Sequence, residues 1–102
     1  MALCAQAPDL STFHKIQVLV KNMTEKNQFY ETEKELQHIP GFVKLDCQDF
    51  PPQYLIVYSQ SPLDKSNIKK AFEKAGIEVF EICENERELE SAIYRFQYSG
   101  HK

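Results

Sequence analysis

Tryptophan, glycine and cysteine are scarce in this chain. Its 102 residues contain no tryptophan, three glycines and three cysteines. The glycines stand apart from one another, which excludes a glycine-rich phosphate-binding loop. The cysteines Cys4, Cys47 and Cys83 are odd in number and widely spaced, which excludes a disulfide framework and a zinc site of ordinary spacing. Cysteine usage therefore does not indicate a redox compartment.

Long apolar runs and an excess of basic residues are also missing. No stretch approaches the ~18 consecutive apolar residues of a membrane span, so no span is predicted. The formal net charge is -3, whereas nucleic-acid-binding domains usually carry a basic face. We therefore predict no nucleic-acid partner. Sequence neighbours form no Cys/His or Ser/His/Asp arrangement, and we expect neither an enzyme nor a bound cofactor.

The first 14 residues show no periodic pattern and are interpreted as a disordered N-terminal segment. Ala5-Gln6-Ala7 is similar to the small-residue cleavage site of an export signal, although the apolar stretch that should precede it is absent from this chain. An ordinary N-terminal tail is the interpretation we prefer, and the remnant of an export signal is the alternative. The localisation accordingly stays open between the cytoplasm and export to the periplasm.

The rest of the chain alternates between strand and helix periodicity. Strands are predicted at 16–21, 42–47, 54–59 and 77–82, and helices at 24–39, 61–75 and 85–97. The order β-α-β-β-α-β predicts a ferredoxin-like α+β sandwich, here with an additional C-terminal helix. We assign residues 15–82 to this domain, 83–97 to the added helix and 98–102 to a tail. The second and fourth strands lie at opposite edges of such a sheet, so Cys47 and Cys83 cannot form a disulfide.

The start of the first helix allows two interpretations. Either Thr24 caps the helix, or Asn22 and Glu25 form an Asn-x-x-Glu capping box. Ser61 or Asp64 caps the second helix, and Asn85 with Glu88 has capping-box spacing at the third.

The two crossover helices cover only one face of the predicted sheet, yet the strands also carry apolar residues for the other face. Strand alternation places Leu19, Phe80 and Ile82 there. Either the apolar stripe of the third helix folds over this face, which we favour, or a protein partner or second copy covers it. For the second case, the predicted interaction surface is Leu19, Phe50, Phe80 and Ile82.

Four short motifs follow one another between residues 15 and 82. They are Met23-Thr24, Leu36-x-x-Ile39-Pro40-Gly41-Phe42, Leu45-x-Cys47 and Ile68-x-x-Ala71-Phe72-x-x-Ala75-Gly76-Ile77. This segment, about two-thirds of the chain, resembles the heavy-metal-associated (HMA) domain of copper chaperones and metal-transporting ATPases. The resemblance implies the same ferredoxin-like fold.

The metal motif of that family, Met-x-Cys-x-x-Cys, is altered in this sequence. Met23 matches the methionine, but Glu25 and Gln28 stand where the two cysteines belong, and Ile77 stands at the family's late tyrosine. Soft Cu(I) needs thiolates, for which carboxylate and amide oxygens are poor substitutes. We therefore expect no metal and a non-catalytic binding module, with a protein partner or a homo-oligomer. The alternative is metal binding or copper delivery through altered ligands.

Overall fold

A computed structural model describes residues 12–99 of the chain. Its elements are β1 (His14–Val20), α1 (Lys26–Leu36), β2 (Phe42–Asp46), β3 (Tyr54–Ser59), α2 (Lys65–Lys74), β4 (Val79–Cys83) and α3 (Glu86–Ser99). Residues 1–11, which hold most of the predicted N-terminal segment, and residues 100–102 of the predicted tail lie outside the described part. The third helix extends into the predicted tail, because it continues to Ser99.

The four strands form one antiparallel sheet in the order β2-β3-β1-β4. This order, with α1 and α2 as the crossovers, is the ferredoxin-like α+β fold that the sequence predicts. Strands β2 and β4 are the edges. Cys47 follows β2 and Cys83 ends β4, and both are free cysteines.

Local side-chain hydrogen bonds begin the second and third helices. Asp64 caps α2 by accepting from the backbone N–H of Ser66 at 3.0 Å, which decides between the two predicted caps. At α3, Asn85 Oδ1 accepts from the N–H of Glu88 at 2.9 Å. Gly76 follows α2 with φ +83°, a left-handed conformation that favours glycine and ends the helix there.

The main core lies between the sheet and the α1–α2 layer. We call it the helix-side core, and its fully buried members include Val18, Leu36, Leu55, Ile68 and Phe72. These residues come from the even positions of β1, the odd positions of β3 and one stripe of each helix, as the two periodicities require. Truncating a buried phenylalanine such as Phe72 to alanine typically costs ~3–5 kcal/mol.

A second core lies on the opposite face of the sheet, beneath α3. Its buried members are Leu19, Cys83, Leu89 and Ala92, and the partly buried Tyr54, Phe80, Ile93 and Phe96 pack against them. We call it the α3-side core. The ring centroids of Phe80 and Phe96 lie 5.0 Å apart in an edge-to-face arrangement. The third helix, rather than a partner, therefore covers these residues.

A β-bulge in β4 places its side chains on faces that differ from the predicted ones. Leu19 pairs with Glu81 and Val20 pairs with Val79, so Phe80 is an extra residue with no partner on β1. The alternation consequently restarts after Phe80. Val79 and Ile82 both pack on the helix-side core, whereas Phe80 packs on the α3-side core. The prediction that Ile82 shares a face with Phe80 is wrong, because strict alternation does not hold across a bulge.

Candidate functional site

The loop between β1 and α1 is closed by the side chain of Gln28. Gln28 Oε1 accepts hydrogen bonds from the backbone N–H groups of Thr24 and Glu25, at 2.7 and 2.9 Å. Gln28 Nε2 donates to the backbone carbonyl of Asn22 at 3.2 Å. The N-cap of α1 is Glu25, in an extended conformation, and Gln28 is the third helical residue. Gln28 therefore satisfies backbone donors that a helix start otherwise leaves open.

This arrangement corrects both predicted caps of α1. Neither Thr24 nor Asn22 caps the helix, because Glu25 is the N-cap and Gln28 is the residue that reaches back to it. The two positions at which the HMA motif has cysteines are therefore the N-cap and the third residue of α1. An amide at the third helical position can accept from preceding N–H groups, and this is the geometry of a capping box.

Asn22 ties the β1–α1 loop to the turn between α2 and β4. Its Nδ2 donates to the carbonyl of Gly76 at 3.1 Å, and its Oδ1 accepts from the N–H of Glu78 at 2.8 Å. The N–H of Lys21 also donates to the carbonyl of Glu78, at 3.0 Å. The side-chain amide of Asn22 is thus engaged at both ends, and the two loops are held together by hydrogen bonds.

Met23 does not project from the loop. It is 3% exposed and belongs to the helix-side core. The thioether is therefore part of the packing, as expected for a methionine that fills a core position. Of the three residues at the positions of the metal motif, Met23 is buried, Gln28 is engaged in hydrogen bonds, and only Glu25 presents an exposed side chain.

The two cysteines within residues 12–99, Cys47 and Cys83, form no thiolate pair. Burial, together with the nearby carboxylates of Asp46 and Asp49, raises the pKa of the half-buried Cys47 thiol. Burial likewise raises the pKa of Cys83. Both thiols are therefore protonated at neutral pH, on opposite edges of the sheet. Within residues 12–99, no group of three or more His, Cys, Asp or Glu side chains is arranged to hold a metal ion.

The four residues of the predicted interaction surface lie in different places. Leu19 is fully buried beneath α3, Phe80 packs on Phe96, and Ile82 belongs to the helix side. Leu19 is thus not available to a partner, which corrects that part of the prediction. The reason is that α3 itself buries the surplus apolar residues. Phe50 is different, because it borders a cavity at the surface.

That cavity, of about 240 Å³, opens between the first turns of α1 and the β2–β3 loop. We call it the loop-end cavity. It is lined by Lys26, Phe29, Tyr30, Cys47, Gln48, Asp49 and Phe50. The rings of Phe29 and Tyr30 stand edge-to-face, with centroids 5.7 Å apart. Sequence reasoning missed Tyr30, although its position outside the apolar stripe of α1 indicates an exposed aromatic residue.

Comparison with known proteins identifies the fold. No protein-family model matches the chain, and no curated protein matches it by sequence. Among solved structures, the yeast copper transporter domain CCC2A is 18% identical, with 65% of this chain and 90% of that chain covered and a TM-score of 0.55. The CopZ metallochaperone is 24% identical, and the match covers 64% of this chain and 97% of CopZ with a TM-score of 0.55. Apo-CopP from Helicobacter pylori is 26% identical, and the match again covers 64% of this chain and 97% of the other, with a TM-score of 0.54.

The element order and the sheet place this chain among the ferredoxin-like α+β sandwiches. Within that class, its neighbours are copper-transporter domains and metallochaperones, and the chain has the fold of HMA domains. These solved chains are covered almost whole, whereas about a third of this chain lies outside each match. Among residues 12–99, no helix is long and apolar enough to cross a membrane.

Proposed function

We propose that this chain is a non-catalytic protein-binding module, built on the HMA-like fold without the thiolate metal site. One observation carries the proposal. The two positions at which the HMA motif has cysteines form a helix start whose backbone groups are hydrogen-bonded within the loop. Gln28 accepts from two N–H groups and donates to a carbonyl, all within one loop. A metal ion held by the Gln28 side chain would have to displace those hydrogen bonds, and the exposed side chains at positions 25 and 28 offer it no soft donor.

The chemistry of the donors supports the absence of copper handling. A Cu(I) site needs soft ligands, and thiolates are the usual ones. The thiols of Cys47 and Cys83 have raised pKa values and lie on opposite edges of the sheet. Met23, the soft donor of the loop, is inside the helix-side core. These features of residues 12–99 support a function different from the copper-related roles in the names of the structural neighbours.

The loop-end cavity fits a binding role better than an enzymatic one. The loop-end cavity, at about 240 Å³, is smaller than the ~300–1,000 Å³ typical of pockets for cofactors and small-molecule ligands. Its aromatic lining is of the kind that is enriched at protein interfaces. The partner would be another protein or a second copy of the chain.

Titration of the reduced protein with Cu(I) against a chromophoric chelator tests this function. The wild-type chain should not compete with the chelator. The variant Glu25→Cys/Gln28→Cys should bind one equivalent, because it supplies two thiolates at the start of a helix, where the dipole favours them. The matched variant Glu25→Ser/Gln28→Ser perturbs the same cap without thiols and should not bind.

Nanomolar or tighter competition by the wild-type chain would overturn the proposal in favour of copper binding through altered ligands. Met23, Cys47 and Cys83 would then be the residues to substitute.

A further inference from the structure

We infer that this protein binds a second copy of itself head to tail, with the outer face of α3 of one copy docked in a groove between α1 and α2 of the next. This inference rests on the proposed function, since it names a second copy of the chain as the partner of the binding module. Three features carry it: the apolar floor of the groove, the pair of exposed tyrosines on α3 and the opposite charges of the two surfaces.

The groove lies between residues 35–40 at the end of α1 and residues 67–74 of α2, and we call it the α1–α2 groove. Its volume of about 350 Å³ exceeds that of the loop-end cavity. Its floor is apolar, because Ile39 packs on the helix-side core and Ala71 is 7% exposed, with Pro40 beside them. Most of the other lining side chains are exposed, so the groove is open at the surface. It can therefore receive an apolar side chain that another molecule presents.

The charge around this floor is positive. Lys70 and Lys74 line the α2 side, and within residues 12–99 neither makes an ion pair. Glu35 is the one carboxylate among the described lining residues, and His38 adds no negative charge. The carboxylate of Asp64 also interacts with Lys70, but it is already engaged as the cap of α2. The groove therefore favours an occupant that combines an apolar side chain with a carboxylate.

The outer face of α3 has this composition. Glu86, Glu90, Tyr94 and Tyr98 are spaced by four residues, so they follow one another along one side of the helix, and all four are exposed. We call this surface the α3 face. Tyr94 and Tyr98 are two of the three large exposed hydrophobic residues within residues 12–99, and their ring centroids lie 4.5 Å apart. Tyrosine is among the residues enriched in the cores of protein interfaces.

The charges of the two surfaces are the reverse of each other. Helix α2 carries four lysines and one glutamate, whereas residues 84–90 contain four glutamates and one arginine. Lys65 and Glu84 pair within the chain at 3.9 Å, which leaves Glu86 and Glu90 on the α3 face for another molecule. Opposite potentials attract two surfaces and fix their register. In the docked state, the tyrosine pair lies on the apolar floor and Glu90 faces the lysines of α2.

The positions of the two surfaces decide the kind of assembly. Helices α1 and α2 cover one face of the sheet and α3 covers the other. Two copies therefore cannot exchange both contacts with each other. Each copy receives an α3 face in its groove and offers its own α3 face to the next copy. Contacts of this heterologous kind build rings or open chains rather than closed dimers.

Sedimentation equilibrium of the full chain tests the inference, over concentrations from about 10 μM to about 1 mM that cover the affinities of small interfaces. The weight-average mass should increase with concentration and pass that of a dimer without levelling off there. Raising the salt concentration to about 0.5 M should weaken the association, because salt screens the attraction between exposed charges.

Substitution of the tyrosine pair tests the α3 face. Tyr94→Ala/Tyr98→Ala should weaken self-association about 10-fold or more, since truncation of interface tyrosines often has an effect of that size. Tyr30→Ala is the matched control, because Tyr30 is a tyrosine of similar exposure, at 58%, outside both surfaces. It should leave self-association unchanged. Thermal unfolding of each variant checks that it is folded.

Charge reversal tests the groove. Lys70→Glu/Lys74→Glu should also weaken self-association about 10-fold or more, because it places like charges opposite the α3 face. Lys26→Glu/Lys69→Glu makes the same change in net charge on the same two helices, at residues that do not line the groove. It should have a much smaller effect.

A mixture of the two deficient variants distinguishes head-to-tail docking from other modes. The tyrosine variant keeps an intact groove, and the lysine variant keeps an intact α3 face. Neither should associate alone, but their mixture should form a complex of one copy of each. That complex should not grow further, because its two remaining surfaces are the altered ones.

Three results would overturn the inference: a monomer at every concentration, a mass that levels off at a dimer and persists in the lysine variant, or a mixture of the two variants that forms no complex. The first would leave the protein-binding function intact with a different protein as the partner, and the second would indicate symmetric pairing through α3. Failure of the function itself is reported separately, by tight Cu(I) binding to the wild-type chain.

Discussion

The substitution Gln28→Ala removes the side chain that closes the β1–α1 loop. It leaves the N–H groups of Thr24 and Glu25 without their acceptor and the carbonyl of Asn22 without its donor. Loss of a helix-capping side chain typically costs ~0.5–2 kcal/mol. The groups are at the surface, where water replaces part of the lost bonding, so we expect about 1 kcal/mol. For a domain of this size, that lowers the melting temperature by roughly 4–8 °C.

Two further variants make the test specific. Gln28→Glu keeps an oxygen acceptor at the helix start, where negative charge is favoured, but loses the donor to Asn22. It should therefore destabilise the protein less than Gln28→Ala does. Gln37→Ala changes an exposed glutamine at the other end of α1 and should have a smaller effect, because its side chain caps no helix start.

Thermal unfolding followed by circular dichroism at pH 7 measures all three variants. Equal melting temperatures for Gln28→Ala and wild type would refute the reasoning, because they would mean that the loop does not depend on the cap. The proposal that a capped helix start stands in place of a thiolate site would then also lack its structural basis.

Three other substitutions test the packing around α3 and the sheet. Gln17→Met should raise the free energy of unfolding, measured in urea, by about 1 kcal/mol, because the buried Gln17 Oε1 lacks a hydrogen-bond partner in the described residues. A loss of stability would contradict this. Leu89→Ala should cost ~2–5 kcal/mol, since it opens a cavity beneath α3; a neutral result would show that α3 does not pack there. The hydrogen bond from Arg95 lowers the pKa of Glu81, so this pair stabilises the fold above the unfolded pKa of Glu81 and loses its effect as the pH falls through the lower folded value. Arg95→Leu should therefore reduce stability slightly more at pH 7 than at pH 2, since a pair this exposed contributes little. An equal loss at both pH values would count against this reasoning.

The elements of the fold could be predicted from the sequence because they depend on local patterns. The helical stripe from Ile68 to Ala75 and the stop at Gly76 are encoded within ten residues, and the structure has both. The ends of strands were less predictable. Strand β4 begins at Val79 rather than at Ile77, because the pairing with β1 decides which residues join the sheet.

The bulge at Phe80 shows the same dependence on distant residues. Which residue of β4 lacks a partner is decided by the register of Leu19 and Val20, some 60 positions earlier in the chain. Alternation within residues 77–82 contains no signal for it. The predicted face of Ile82 was therefore wrong, although the predicted face of Phe80 was right.

The sequence by itself determined the ferredoxin-like order of elements and the absence of cysteines at positions 25 and 28, since periodicity and residue identity are properties of the chain alone. The tertiary structure alone decided that Asn22 bonds to Gly76 and Glu78 instead of capping α1. It also decided that α3 buries Leu19 and that Tyr30 and Phe50 line the same cavity. These outcomes depend on contacts between segments far apart in sequence, and the free energy of such contacts is defined only once the chain has folded.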